Sequence, residues 1–237
     1  MVSFLKRSTV TAIVDRGRTI VTASKDGHIR LWSCAQQKTI EPTIAINDCI
    51  NCIDISESNL NLLSTNENMS EDEVEVGTQG KILIVGTENG SVHLVDLKGR
   101  SIINSVKLNS GAVNSIKFLT SCDNIIVAGT EDGAVNIISL PDMKILQQIH
   151  DSDSSVQCLL PLKNGFLCGK YDGACVWYGF DSSPDLNEVL YEMTIILSGA
   201  DVDPITDISR DYDHIYTSCR DGCIRKYSIN NMFSGTL

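Results

Sequence analysis

Positive charge is scarce in this chain. Nineteen lysines and arginines stand against 30 aspartates and glutamates, a formal net charge of −11 with a sequence pI near 4.7. A field of that sign repels phosphate backbones and anionic headgroups, so no nucleic acid and no membrane surface is expected as a partner. Long hydrophobic runs are missing as well: no apolar stretch approaches the roughly 18 residues a membrane helix needs. The start, Met1-Val2-Ser3-Phe4-Leu5-Lys6-Arg7, carries its charge after a very short apolar stretch, which is not a signal-peptide pattern. Disulfide-framework spacing is lacking too. The nine cysteines are odd in number and scattered, and they read as reduced thiols of an intracellular protein. What remains is an ordinary globular balance over 237 residues, 42% apolar and 21% charged. That is enough to bury one sizeable core or two small ones.

One turn recurs five times, each copy between two apolar runs. The copies are Ser24-Lys25-Asp26-Gly27, Thr87-Glu88-Asn89-Gly90, Thr130-Glu131-Asp132-Gly133, Lys170-Tyr171-Asp172-Gly173 and Cys219-Arg220-Asp221-Gly222. Their glycines lie 63, 43, 40 and 49 residues apart. Asp-Gly and Asn-Gly suit tight hairpin turns, which need the positive φ that Gly and Asn tolerate. The flanking runs Ile82-Leu83-Ile84-Val85 and Asn124-Ile125-Ile126-Val127-Ala128 are almost continuously apolar, as strands covered on both faces are. A period of about 40–45 residues with four short strands per unit is the WD40 signature, and stacked propeller blades provide such cover. The first unit, Thr22 to Trp32, fits best; others are degraded, with Val95-Asp96 or Ile138-Ser139 near the place of the Trp-Asp pair. The expected fold is therefore all-β, a WD40 β-propeller with five recognisable four-stranded blades. The blades are expected at 8–46, 47–108, 109–149, 150–200 and 201–237.

Two long spacings locate insertions. Residues 56–80 hold a low-hydrophobicity run dense in acid, expected to be mobile, between the first and second strands of blade two. A second insertion, Asp181 to Glu188, joins strands three and four of blade four. Both are expected at the end opposite the Asp-Gly turns.

Four stretches carry a narrower resemblance. They are Thr11-Ala12-Ile13-Val14-Asp15-Arg16-Gly17-Arg18 running into Trp32-Ser33-Cys34, then Glu75-Val76-Gly77-Thr78, Gly199 to Pro204, and Ile215 to Gly222. In them the chain resembles the proteasomal ATPase-associated factor family. The resemblance implies an assembly chaperone of the proteasome 19S regulatory particle, cytoplasmic and nuclear. It would bind the C-terminal domain of a base ATPase subunit through the propeller and regulate that subunit's association with the 20S core. It also implies a seven-bladed propeller and a separate N-terminal region, so this chain is expected to lack that region and about two blades. A five-bladed ring would close by taking the outer strand of blade five from residues 1–6, giving a monomer. The competing reading is a generic WD40 scaffold of another intracellular complex, in ribosome biogenesis or chromatin.

Charge is unevenly spread. Residues 1–40 balance at +5, whereas 41–100 and 181–213 each balance at −8. Complementary potential mainly raises association rate and specificity. The loops and turns at the Asp-Gly end supply the candidate partner-binding residues Glu88, Glu131, Asp132, Asp151, Asp153, Asp201 and Asp203. A docking face for a basic ATPase surface and a merely solvated acidic rim both fit these residues. Turn aspartates have a competing structural task, since in WD40 blades they often anchor a buried hydrogen-bond network that must be fully satisfied. Blade one offers Thr22, Asp26 and Trp32 without a matching histidine; blade four offers His150, Asp172 and Trp177; blade five offers Asp221.

No reaction chemistry is expected. Cys49 and Cys52 form a C-x-x-C with no second pair or nearby histidine to complete a tetrahedral metal site. The histidines 28, 93, 150 and 214 sit in or beside different repeats with no nucleophile around them. No enzyme, cofactor or metal is predicted. Ser70, followed by Glu71-Asp72-Glu73, resembles a site for an acid-directed kinase; a regulatory phosphate there and an incidental match are both open.

Overall fold

A computed structural model describes residues 9–16, 18–57, 77–119, 124–180, 191–197 and 203–229. Every element among the described residues is a strand. The chain divides into two compact units, Met1–Val113 and Asn114–Leu237.

In the first unit, β1 (Val10–Arg16), β2 (Thr19–Ser24), β3 (His28–Ser33) and β4 (Lys38–Ala45) form one antiparallel sheet in sequential order. A second sheet follows in the same way, from β5 (Ile50–Ile55), β6 (Ile82–Thr87), β7 (Ser91–Asp96) and β8 (Ser101–Lys107). The sheets bury their faces against one another. Val21, Ile29 and Leu31 of the first pack with Ile53, Leu83, Val85 and Val95 of the second.

The second unit repeats the plan. Sheet three has β9 (Val113–Phe118, beginning at the unit boundary), β10 (Ile125–Thr130), β11 (Val135–Ser139) and β12 (Lys144–Ile149). Sheet four has β13 (Val156–Leu162), β14 (Gly165–Lys170), β15 (Cys175–Phe180) and β16 (Tyr191–Leu197). Between them Val127, Val135 and Ile137 meet Leu159, Phe166 and Tyr178, the two rings stacked at 5.2 Å. Gln147 on β12 donates its amide to the Tyr191 carbonyl at 2.9 Å and accepts from the Tyr191 N–H at 2.8 Å, joining two outer strands. Sheet five shows three strands among the described residues, β17 (Ile205–Arg210), β18 (His214–Cys219) and β19 (Ile224–Ser228). Its expected fourth strand, from residues 1–6, lies outside the described residues, as do 58–76 and 181–190 of the two insertions.

The continuous apolar runs have the predicted consequence: β6, β10 and β14 are buried at every position. Outer strands β8 and β12 are largely exposed. Close stacking depends on glycine in the middle strands. A Cβ on Gly129 would lie 2.2 Å from Val156 Cγ1, and one on Gly169 2.8 Å from Ile205 Cγ2. Four first strands carry a bulge at the same place, leaving Thr11, Asn51, Gln157 and Thr206 without a register partner. Such an extra residue re-aims its side chain. Thr11 Oγ1 donates to the Ile50 carbonyl of the next sheet at 2.8 Å. On the first strand of sheet three, Asn114 Nδ2 donates to the Val156 carbonyl of sheet four at 3.1 Å. The five antiparallel sheets among the described residues, each in sequential strand order, have the build expected of WD40 blades.

Candidate docking surface at the turn ends of the sheets

All five turns share one backbone. The fourth residue donates its N–H to the carbonyl of the first, at 3.0 Å for Gly27, 3.1 Å for Gly90, 3.2 Å for Gly133 and Gly173, and 3.1 Å for Gly222. Each of these glycines has φ between 76 and 90°, the region that a side chain would make costly. The Asp or Asn before it turns its side-chain oxygen back to accept the N–H two residues on. Asp26 accepts from His28 at 3.0 Å, Asn89 from Ser91 at 3.1 Å, Asp132 from Ala134 at 3.4 Å, Asp172 from Ala174 at 3.1 Å and Asp221 from Cys223 at 2.8 Å. This Asx-type bond replaces a ladder bond that the turn leaves unmade. Three turns add a hydroxyl from their first residue: Ser24 Oγ lies 2.5 Å from Asp26, Thr87 Oγ1 2.9 Å from Asn89 and Thr130 Oγ1 2.5 Å from Asp132.

The turn aspartates thus hold structure together, and two of them do so through arginines that lie outside the repeated turn motif. Arg30 donates to Asp26 at 2.8 Å and Arg225 to Asp221 at 2.5 Å, each from four residues downstream. The Arg30 bond, aided by Ser24 and the His28 N–H against the opposing effect of burial, holds the Asp26 carboxyl well below the usual carboxylate range. Arg225 lowers Asp221 to about 2. Asp-Gly followed by arginine at the fourth place after the acid was the available signal. In the first blade Thr22 and Trp32 do meet, the indole N–H donating to Thr22 Oγ1 at 2.9 Å. In the fourth the expected group does not assemble. His150 turns to the third turn, Nε2 lying 3.1 Å from the Asp132 carbonyl and 3.3 Å from Asp153, while Asp172 stays exposed. Trp177 packs inside the core shared with sheet five, beside Leu167, Ile208 and Ile215. The cause is strand order: β12 ends at Ile149, beside the turn of its own sheet.

The acidic candidates divide by environment. Glu88, Glu131 and Asp132 are exposed on the second and third turns, and the Asp153 side chain is fully exposed. Asp203 is half-buried, its carbonyl accepting from Cys219 Sγ at 3.0 Å. Asp201 and Ser70 lie outside the described residues. Asp151 faces inward: one oxygen pairs with Lys170 Nζ, and the other accepts from the Tyr178 hydroxyl at 2.7 Å. Burial alone would raise the Asp151 carboxyl, but the bonds from Lys170 and Tyr178 outweigh it and hold it low. Burial, and then the bond to Asp151, pushes the Tyr178 phenol up. Lys170, missed by sequence reasoning, is 1% exposed. Its signal was a lysine where three sibling turns have Ser or Thr.

The C-x-x-C cysteines separate in space. Cys49 is exposed, whereas Cys52 Sγ lies 3.5 Å from the Val113 carbonyl. Burial, the leading effect in each case, raises the Cys158 and Cys168 thiols and lifts Cys175 to about 12. These thiols suit packing, and the turn ends present exposed carboxylates on hydrogen-bonded turns.

Comparison with known proteins agrees. The family described as "WD domain, G-beta repeat" matches residues 3–33. The chain is 33% identical over 177 residues to Proteasomal ATPase-associated factor 1 of Homo sapiens, covering 75% of this chain and 42% of that protein. The Bos taurus protein of the same name is 32% identical over the same shares, and the Gallus gallus protein is 33% identical over 160 residues, 68% of this chain and 38% of the relative. The chain thus spans about two-fifths of the length of the relatives it matches. The chain carries a WD40 repeat and sheets of the kind that WD40 β-propellers repeat, and over three-quarters of its length it resembles the proteasomal ATPase-associated factors.

Proposed function

We propose that this protein is a non-catalytic binding module of the proteasome system, acting in assembly of the 19S base in cytoplasm and nucleus. In this reading it binds the C-terminal domain of an ATPase subunit and regulates association with the 20S core. The observation that carries the proposal is the 177-residue match to relatives named for their association with a proteasomal ATPase. The turn ends support it: Glu131, Asp132 and Asp153 are exposed carboxylates on a fixed scaffold, suited to a basic protein surface.

Affinity purification of the tagged protein with mass spectrometry tests the reading. Recovery of base ATPases without mature 20S core is expected. Reversing the charge of Glu131 and Asp153, whose carboxylates close no turn, should abolish that recovery while the unfolding midpoint is unchanged. A wild-type protein that captures no proteasomal ATPase would overturn the proposal.

A further inference from the structure

Five turns share one backbone, yet only the fourth opens with a lysine. Ser24, Thr87 and Thr130 satisfy their hydroxyls inside their own turns, so a threonine at position 170 would close the fourth turn without burying a charge. Lys170 is 1% exposed instead. A buried ion pair is weak evidence for stability, because desolvation offsets the attraction. What this pair achieves is placement. Lys170 Nζ reaches out of its turn into the preceding loop, pairs with Asp151 and donates to Ser152 Oγ at 2.9 Å. The Tyr178 hydroxyl holds the other Asp151 oxygen.

The same loop is tied on both sides. Toward turn three, His150 Nε2 lies 3.1 Å from the Asp132 carbonyl, and the backbone packs so closely that a Cβ on Gly133 would stand 2.2 Å from the Ser152 carbonyl oxygen. Toward turn four, the Asp172 N–H donates to Ser154 Oγ at 3.0 Å and the Tyr171 N–H to the Ser155 carbonyl at 2.9 Å. Beside these ties the Asp153 side chain is fully exposed and Tyr171 is 52% exposed. Exposed tyrosines are the residue type that anchors interfaces.

We infer that Lys170 is a positioning residue, a buried counter-charge that clamps segment 150–155 and so sets the shape of the docking surface formed by turns three and four. The inference rests on the docking reading of this end of the sheets. Within it, partner preference depends on a side chain the partner never touches.

The test is the double variant Lys170→Thr/Asp151→Asn, which removes both charges and gives turn four the hydroxyl of turn three. Amide exchange at Tyr171 and Asp172 should accelerate about tenfold or more, while amides of β14 keep their protection. Affinity for the proteasomal ATPase captured by the wild type should fall about tenfold at a similar unfolding midpoint. Unchanged exchange at those two amides overturns the inference, and so does faster exchange with unchanged affinity. If the wild type captures no proteasomal ATPase, the docking reading falls, and exchange alone decides whether Lys170 clamps the loop. Should the double variant fail to fold, Lys170→Met, which keeps the aliphatic stem and leaves Asp151 able to turn to water, is read by the same exchange criterion.

Discussion

Gly129→Ala measures how tightly sheets three and four are stacked. Gly129 is the penultimate residue of β10, and a Cβ there would lie 2.2 Å from Val156 Cγ1, 2.8 Å from its Cβ and 3.3 Å from its Cγ2. Val156 cannot retreat easily: it is fully buried, its carbonyl accepts from Asn114, and a β-branched side chain has few rotamers. Two effects oppose each other. Replacing a strand-interior glycine by alanine gains roughly 0.5–1 kcal/mol in chain entropy. Overpacking a filled core costs about 1–3 kcal/mol, and a contact so far inside van der Waals range belongs near the upper end. The net expectation is a loss of about 2 kcal/mol, or about 4–8 °C in midpoint for a protein of this size. Urea unfolding followed by far-UV circular dichroism reads it, with the m-value unchanged. Val156→Ala in the same chain should relieve the clash, so the double variant should lose at least ~1 kcal/mol less than the sum of the singles. A raised midpoint for Gly129→Ala, or strict additivity in the double variant, would refute the reasoning.

Three further expectations concern the charged and thiol groups. Asp26 has its folded value depressed below the ordinary 3.8, so its contribution is present above that value and lost as pH falls through the folded one. Asp26→Asn should be less stable than wild type at pH 7 and should show a smaller further loss between pH 6 and pH 2 by thermal unfolding; an equal acid loss in both would contradict the Arg30 pairing. Asp151→Ala strands the buried Lys170 ammonium and should cost about 3–5 kcal/mol. Lys170→Met should cost less, because the Asp151 side chain is 20% exposed and can hydrate; the reverse order in denaturant titrations would show that the lysine is not the buried partner. Iodoacetamide at pH 8 with peptide mapping should label exposed Cys34, Cys49 and Cys223 and spare Cys158, Cys168 and Cys175 in the native protein. Native labelling of Cys168 at the rate of Cys34 would count against the buried core of sheet four.

The turns and the sheets were legible because each rests on local chemistry. An Asp-Gly or Asn-Gly pair specifies its own turn, and a run such as Ile82 to Val85 has only a doubly covered strand in which to be content. What was hidden depends on which way a side chain points once the hairpin has closed. Counting acids placed Asp151 and Asp153 in one class, yet one pairs with a buried lysine and the other is fully in water, two residues apart. His150 looked like a member of the fourth blade because the strand it precedes belongs there. It serves the third, since the end of β12 stands beside that sheet's own turn. Arg30 and Arg225 reach back across a turn to an acid four residues earlier, a spacing more often read as helical.

The second residue of four turns has a main-chain duty. Lys25, Glu88, Tyr171 and Arg220 give their N–H to the carbonyls of Thr9, Cys49, Ser155 and Pro204, and these four side chains, with that of Glu131, stand in solvent. Architecture and display are therefore separable at these places: cation, anion and aromatic are carried by one and the same peptide geometry. A single codon change there can rewrite what the protein offers to a neighbour while the fold continues undisturbed, which makes these five places the natural ones at which related chains would diverge in what they recognise.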